Sequence, residues 1–181
     1  MGISASSASS AFPLVLFFVV AAFMIVEARR AAANERAQRS RGGIEPADDV
    51  YQLMQLAYPG LFLAMLAEGA LRHATPEGEW FIAGLTVFVA AKLLKWWAIA
   101  ALGSFWTFRV IVVPGSTSID SGPYRIMRHP NYVAVVGEIF GVAMMTRAVV
   151  SGPLALVVFG TLLLRRIAVE NRARDAILRR G

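Results

Sequence analysis

The chain has 181 residues, of which 57% are hydrophobic and only 17% charged, against about 25% charged in an ordinary soluble domain. At roughly 150 residues per domain this is one unit, and the composition excludes a disordered or collagen-like chain and argues against a soluble fold. The absence of cysteine rules out a disulfide framework, a thiolate zinc site and a cysteine nucleophile, and two histidines are too few for a histidine-rich metal site.

Residues 1–26 carry no charge, and 11–26 form an apolar run without the basic start of a secretory signal, so an anchor helix is expected. The segment 27–49 is charged and rich in alanine and arginine. It reads as an interfacial helix ending at Gly42-Gly43. A second uncharged run covers 50–67, and a third covers 80–97 with tryptophans at both ends, where membrane–water interfaces favour them. Residues 106–115 are β-branched and end in Pro-Gly, which predicts an extended segment. Two shorter runs, 132–145 and 154–164, flank Ser151-Gly152-Pro153 and read as a helical hairpin. Each is shorter than the roughly 20 residues that cross about 30 Å of hydrocarbon. The expected fold is therefore an all-α integral membrane protein of about five transmembrane helices, a single domain over 1–181 with its N-terminal spans in 1–105.

The arginines give the orientation. Arg29, Arg30, Arg36, Arg39 and Arg41 follow the first span, Arg109, Arg125 and Arg128 the third, and Arg165, Arg166, Arg172, Arg174, Arg179 and Arg180 the fifth. The opposite side has only Arg72 and Arg147. By the positive-inside rule the N-terminus is outside and the C-terminus cytoplasmic. The net charge of +6 is thus a topology signal with some attraction to membrane lipid, and nucleic acid is not an expected partner.

The polar residues that topology does not explain fall in two places expected on the cytoplasmic side. The first runs from Ser121 to Tyr132. Pro130 biases His129 away from the α region and suits the first turn of a helix, so His129 stands where unpaired N–H groups face outward, beside Arg125 and Arg128. Such a helix start could hold a carboxylate or phosphate, or could be a capped helix with arginines at the headgroups. In the second, Arg166 and Glu170 are four residues apart on one helix face, as an ion pair or as site residues.

Gly122-Pro123-Tyr124, Arg128-His129-Pro130-Asn131-Tyr132, an apolar hairpin and Arg166-Ile167-Ala168-Val169-Glu170 together resemble the isoprenylcysteine carboxyl methyltransferase family. Arg41-Gly42-Gly43-Ile44-Glu45 and the stretch from Arg109 to Gly115 are similar to its bacterial branch. The resemblance implies an integral enzyme, in the inner membrane of a bacterium, with a cytoplasmic pocket for S-adenosylmethionine and a catalytic core over 106–181. It implies that Ser116, Thr117, Ser118 and Ile119 line that pocket. It also implies that Tyr124, His129, Pro130, Asn131 and Tyr132 form the main cofactor motif, that Glu170 contacts the cofactor, and that Arg166 faces the acceptor. No metal is implied. His129 is assigned to cofactor binding first and to base catalysis second, with Arg166 as the other catalytic candidate. Many relatives carry two glutamates where this chain has Glu170-Asn171.

The resemblance implies a lipophilic acceptor entering from the bilayer, either an isoprenylcysteine-type carboxylate or another lipid oxygen. An NADPH-dependent reductase of the sterol-reductase type and a non-catalytic scaffold are the alternatives. Among the remaining polar residues, Glu138 is either a functional acid or a neutral one bonded to a neighbouring helix. Lys92 and Lys95 are read as snorkelling, Glu68 as interfacial, His73 as solvated, and Trp96, Trp97 and Trp106 as interface anchors.

Overall fold

The computed structural model describes residues 5–116 and 119–178, with side chains over 11–116 and 119–173. Thr117 and Ser118, two of the expected pocket positions, lie outside the described residues. The described chain consists of five α-helices: α1 (Ala5–Ser40), α2 (Tyr51–Leu71), α3 (Gly78–Leu102), α4 (Pro130–Met145) and α5 (Ser151–Leu178). Short 3-10 turns occupy Gly103–Phe105 and Gly122–Arg125. Four of the helices are long and apolar enough to cross a membrane, and α4 is a shorter apolar helix. Large hydrophobic side chains such as Leu14, Leu56, Leu93 and Val157 stand exposed around the bundle, as expected of surfaces that face lipid. The protein is an integral membrane protein.

The segment expected as a separate interfacial helix is instead the continuation of α1. Its sequence from Glu27 to Ser40 is made of good helix formers without glycine or proline, so nothing interrupts the helix that begins in the apolar run. At 36 residues α1 is about 54 Å long, more than a bilayer's hydrocarbon thickness. Its C-terminal half packs against the core. Asn34 Nδ2 donates to the carbonyls of Gly103 (3.0 Å) and Trp106 (2.8 Å), and Gln38 Nε2 to that of Ser104 (3.1 Å).

The chain turns at Gly42, which has φ +81°, and Ile44 then pairs with Val112 in an antiparallel bridge of two 2.9 Å hydrogen bonds. Residues 106–114 are thus non-helical as predicted, and they bring the N-terminal connector against the second half of the chain. The fifth span and the C-terminal helix are likewise one continuous helix, α5.

Helices α3 and α4 meet where both lack side chains. A Cβ on Gly84 would lie 2.7 Å from the Gly141 carbonyl oxygen, and one on Gly141 2.8 Å from that of Gly84. Such close backbone approach is how small residues hold membrane helices together. The main core is built around Phe62, Met65, Ile139, Val142 and Phe159.

Lys92 and Lys95 do not snorkel. Lys92 Nζ lies 2.9 Å from Glu27 Oε1 and 3.1 Å from Glu138 Oε1, while Lys95 Nζ lies 2.6 Å from Glu27 Oε2 and 3.3 Å from Glu138 Oε2. The Tyr58 hydroxyl also donates to Glu138, which is 0% exposed. Two acids and two lysines therefore cancel inside the bundle and tie α1, α3 and α4 together, with α2 joined through Tyr58. Pairing within a few ångströms satisfies the ammonium groups without a reach to the headgroups. Glu138 is accordingly bonded to neighbouring helices, and it is bonded to cations.

Trp106 is buried and packs with Ile99 and Ala31, so it is not an interface anchor, whereas Trp97 is exposed. Glu68 does more than sit at an interface. Its carboxylate accepts from the N–H groups of Val150 (3.1 Å) and Ser151 (2.7 Å) and from the Ser151 hydroxyl (2.6 Å), capping the start of α5.

Candidate active site

The site forms where the start of α4, the middle of α5 and the start of α2 converge. Gly122 has φ +58°, and a Cβ there would lie 2.9 Å from that of Ala101, so the turn through Pro123-Tyr124 seats against α3. His129 follows as the residue before α4, with φ −133° and ψ 61°, outside the α region as the following proline requires. Pro130 takes the first helical position, where a missing N–H costs nothing. Tyr132 lies in the first turn of α4, and its ring stacks on His129 with centroids 5.2 Å apart and planes at 15°. The Trp106 indole N–H donates to Asn131 Oδ1 at 3.4 Å, which fixes Asn131 against the extended segment.

On α5, Arg166 and Glu170 face this turn. The Tyr132 hydroxyl donates to Glu170 Oε1, and Arg166 Nε reaches both the Tyr132 oxygen (2.9 Å) and Glu170 Oε1 (3.3 Å). His129 Nδ1 is 3.7 Å from Glu170 Oε2. The side chains of His129 and Glu170 are each 25% exposed and that of Arg166 only 6%. The cluster thus runs from an open acid–imidazole pair to a buried guanidinium. Burial, and then the Glu170 charge, raise the Tyr124 phenol well above its ordinary range, so it stays a hydrogen-bond donor.

One member was not visible beforehand. Asp49 Oδ1 lies 3.5 Å from Arg166 Nη1, on a side chain only 4% exposed. Its Oδ2 accepts from the Val110 N–H (2.9 Å) and its Oδ1 from the Tyr51 N–H (3.2 Å). In the sequence, Asp48-Asp49 ahead of a helix reads only as a polar helix start, and nothing there says which acid turns inward. Asp48 pairs instead with the exposed Arg172. Beyond Asp49 a cavity of about 320 Å³ is lined by Glu45, Pro46, Tyr51, Gln52 and Arg109. Arg109 lies over the Tyr51 ring at 4.3 Å and pairs with Glu45 (2.6 Å) and Glu35 (3.6 Å).

The structure therefore brings together His129, Tyr132, Arg166 and Glu170, with Tyr124 within reach of the Glu170 charge, while Pro130 starts α4 and Asn131 is held by Trp106 instead. Ser116 is exposed, and its hydroxyl closes a turn on the Val113 carbonyl at 2.7 Å. Neither it nor the half-buried Ile119 makes a polar contact with the cluster. Arg125 and Arg128, which flank His129 in sequence, are exposed and make no ion pair among the described residues.

The family model for isoprenylcysteine carboxyl methyltransferases matches residues 83–175, from α3 through Glu170. The chain belongs to this family. Membership makes it a membrane methyltransferase, and enzymes of the family use S-adenosylmethionine. The chain is 31% identical over 162 residues to the uncharacterized protein YpbQ of Bacillus subtilis, covering 87% of this chain and 96% of that one. It is 23% identical over 141 residues to an uncharacterized protein of Haemophilus influenzae, covering 77% and 81%. No solved structure matches. Neither the family nor these relatives favour a reductase or a silent scaffold. The family match begins after Asp49, so the connector that carries this acid lies outside it.

Proposed function

We propose that this methyltransferase takes its methyl group from S-adenosylmethionine and places it on an oxygen of a lipophilic acceptor. The acceptor is an isoprenylcysteine-type carboxylate or another lipid oxygen, and the site opens to the cytoplasm. The observation that carries the reading is the Tyr132–Glu170–Arg166 cluster, with His129 stacked on its tyrosine. The donor set suits the cofactor: aromatic faces and a partly exposed carboxylate for a cation, with no requirement for metal ligands.

The bound cofactor supplies an electrophilic methyl on a sulfonium. His129, Asn131, Tyr132 and Glu170 bind and orient it, and Tyr124 presents its hydroxyl beside them. Arg166, held on two sides, orients the acceptor oxygen. Correct placement of two reactants in such a displacement is worth roughly 7–11 kcal/mol. A carboxylate acceptor needs no base, and charge disappears as it reacts, a change favoured beside buried, water-poor walls. A hydroxyl acceptor needs its proton removed, and the imidazole of His129 or the carboxylate of Glu170 beside it can take it.

Calorimetric titration of the detergent-solubilised protein with S-adenosylmethionine tests the reading. Saturable binding, weakened at least tenfold by Glu170→Ala and by His129→Ala, is expected. A folded wild type that binds none of it overturns the proposal.

A further inference from the structure

The chain carries a net charge of +6, and arginines crowd the end of the bundle that holds the site, yet the ion-paired groups around buried Arg166 and Asp49 are on balance acidic. Arg166 is bracketed by Asp49 at 3.5 Å and Glu170 at 3.3 Å, and Arg109 by Glu45 at 2.6 Å and Glu35 at 3.6 Å. Arg39 also pairs with Glu45. Three arginines thus meet four acids, a balance of −1, with the imidazole of His129 and the phenols of Tyr132 and Tyr124 as the other titratable groups facing Glu170.

The second acid on Arg166 is not held there by the arginine alone. Both Asp49 oxygens are fixed by main-chain N–H groups, one from Val110 and one from Tyr51, so the carboxylate stays in place whatever Arg166 does. A buried carboxylate is costly, and an ordinary Arg166–Glu170 pair four residues apart on one helix would be neutral without it.

We infer that Asp49 is a specificity-determining residue for the cofactor, a reading that rests on the methyltransferase assignment above. As the second acid on Arg166, it keeps the reaction centre net negative, so the centre holds a sulfonium cation in preference to the neutral thioether left after transfer. On transfer the S–CH3 bond breaks, its electron pair stays on sulfur, and the acceptor oxygen forms the new C–O bond. A hydroxyl acceptor also gives up its proton, and a carboxylate gives up none. Sulfur loses its positive charge in either case. The attraction is switched off by the reaction itself, and product leaves a site that no longer favours it.

The test is the ratio of the dissociation constants of S-adenosylhomocysteine and S-adenosylmethionine, each measured by calorimetry on the full-length protein. The two ligands share every group except the methyl and its charge, so partial misfolding cancels in the ratio. Asp49→Asn, and independently Asp49→Ser, whose hydroxyl can still accept from the Tyr51 N–H, should each shift the ratio against the sulfonium by roughly tenfold. Asp49→Glu, which keeps the charge, should hold it within about twofold, and Arg166→Gln should move it the opposite way. Neutral variants that bind both ligands at the wild-type ratio overturn the inference while leaving the methyltransferase reading intact. A folded wild type that binds neither ligand overturns both.

Discussion

Tyr132 and Glu170 share a hydrogen bond across 38 residues, joining the first turn of α4 to the C-terminal half of α5. The same hydroxyl accepts from Arg166 at 2.9 Å while the ring stacks on His129, so one side chain holds three others in register.

Tyr132→Phe separates these tasks. The ring and its stacking survive, but the Glu170 carboxylate and the Arg166 guanidinium lose their common partner. Hydrogen bonds to charged groups are worth about 1.5–3 kcal/mol, so affinity for S-adenosylmethionine should fall roughly tenfold or more. Calorimetry gives the affinity, and a melting temperature close to wild type would show that the loss is local.

The buried quartet makes an opposite kind of prediction, about stability. Removing Glu27 by Glu27→Gln leaves Lys92 and Lys95 sharing Glu138 alone, with an uncompensated charge in the bundle. Breaking one partner of a buried ionic group costs about 3–5 kcal/mol. The charge-balanced pair Glu27→Gln with Lys92→Met should recover a large part of that. Thermal unfolding in detergent of the single and double variants checks it, and a double variant no better than the single one would contradict the pairing.

The helices and their order were legible because apolar runs and their glycine–proline punctuation are local signals. The motif around His129 was legible because Pro130 dictates the backbone on both of its sides. What could not be read was which polar residues meet. Lys92 looks like any lysine near the end of a span until Glu27, 65 residues earlier, is found 2.9 Å away. Asp49 could not be separated from Asp48, since a carboxylate's partners 61 and 117 positions on are set by how the connector folds back, and no local pattern encodes that. Between the first span and the connector the residues change from apolar to charged. Helix propensity runs straight through that change, and the continuous α1 follows.

The glycine contact between α3 and α4 yields a matched pair. Gly84→Ala would push a methyl to 2.7 Å from the Gly141 carbonyl oxygen and 2.8 Å from the Met145 nitrogen, both backbone atoms that cannot step aside. Overpacking of this kind costs about 1–3 kcal/mol. Gly160→Ala, on α5 with nothing within 4 Å of the added carbon, should be neutral or stabilising by up to about 1 kcal/mol. Equal melting temperatures for the two variants would be incompatible with the close approach.

Acid stability probes the connector that carries Asp49. Partial burial works to raise the Glu45 carboxyl, but hydrogen bonds from Arg109 and Arg39 outweigh it and hold the group below its ordinary value of 4.5. A depressed folded value means that the ionised form stabilises the fold above that ordinary value and that the contribution fades as pH falls through the folded one. Stability should therefore decline more steeply with acid in the wild type than in Glu45→Gln, the two curves converging only once the pH is below the depressed folded value. The difference should shrink in high salt, because Arg39 and Arg109 are partly exposed and their charges are screened. Melting curves between pH 3 and 7 at low and high ionic strength test both statements; parallel acid limbs for the two proteins would mean that Glu45 does not tie the connector to Arg109 in solution.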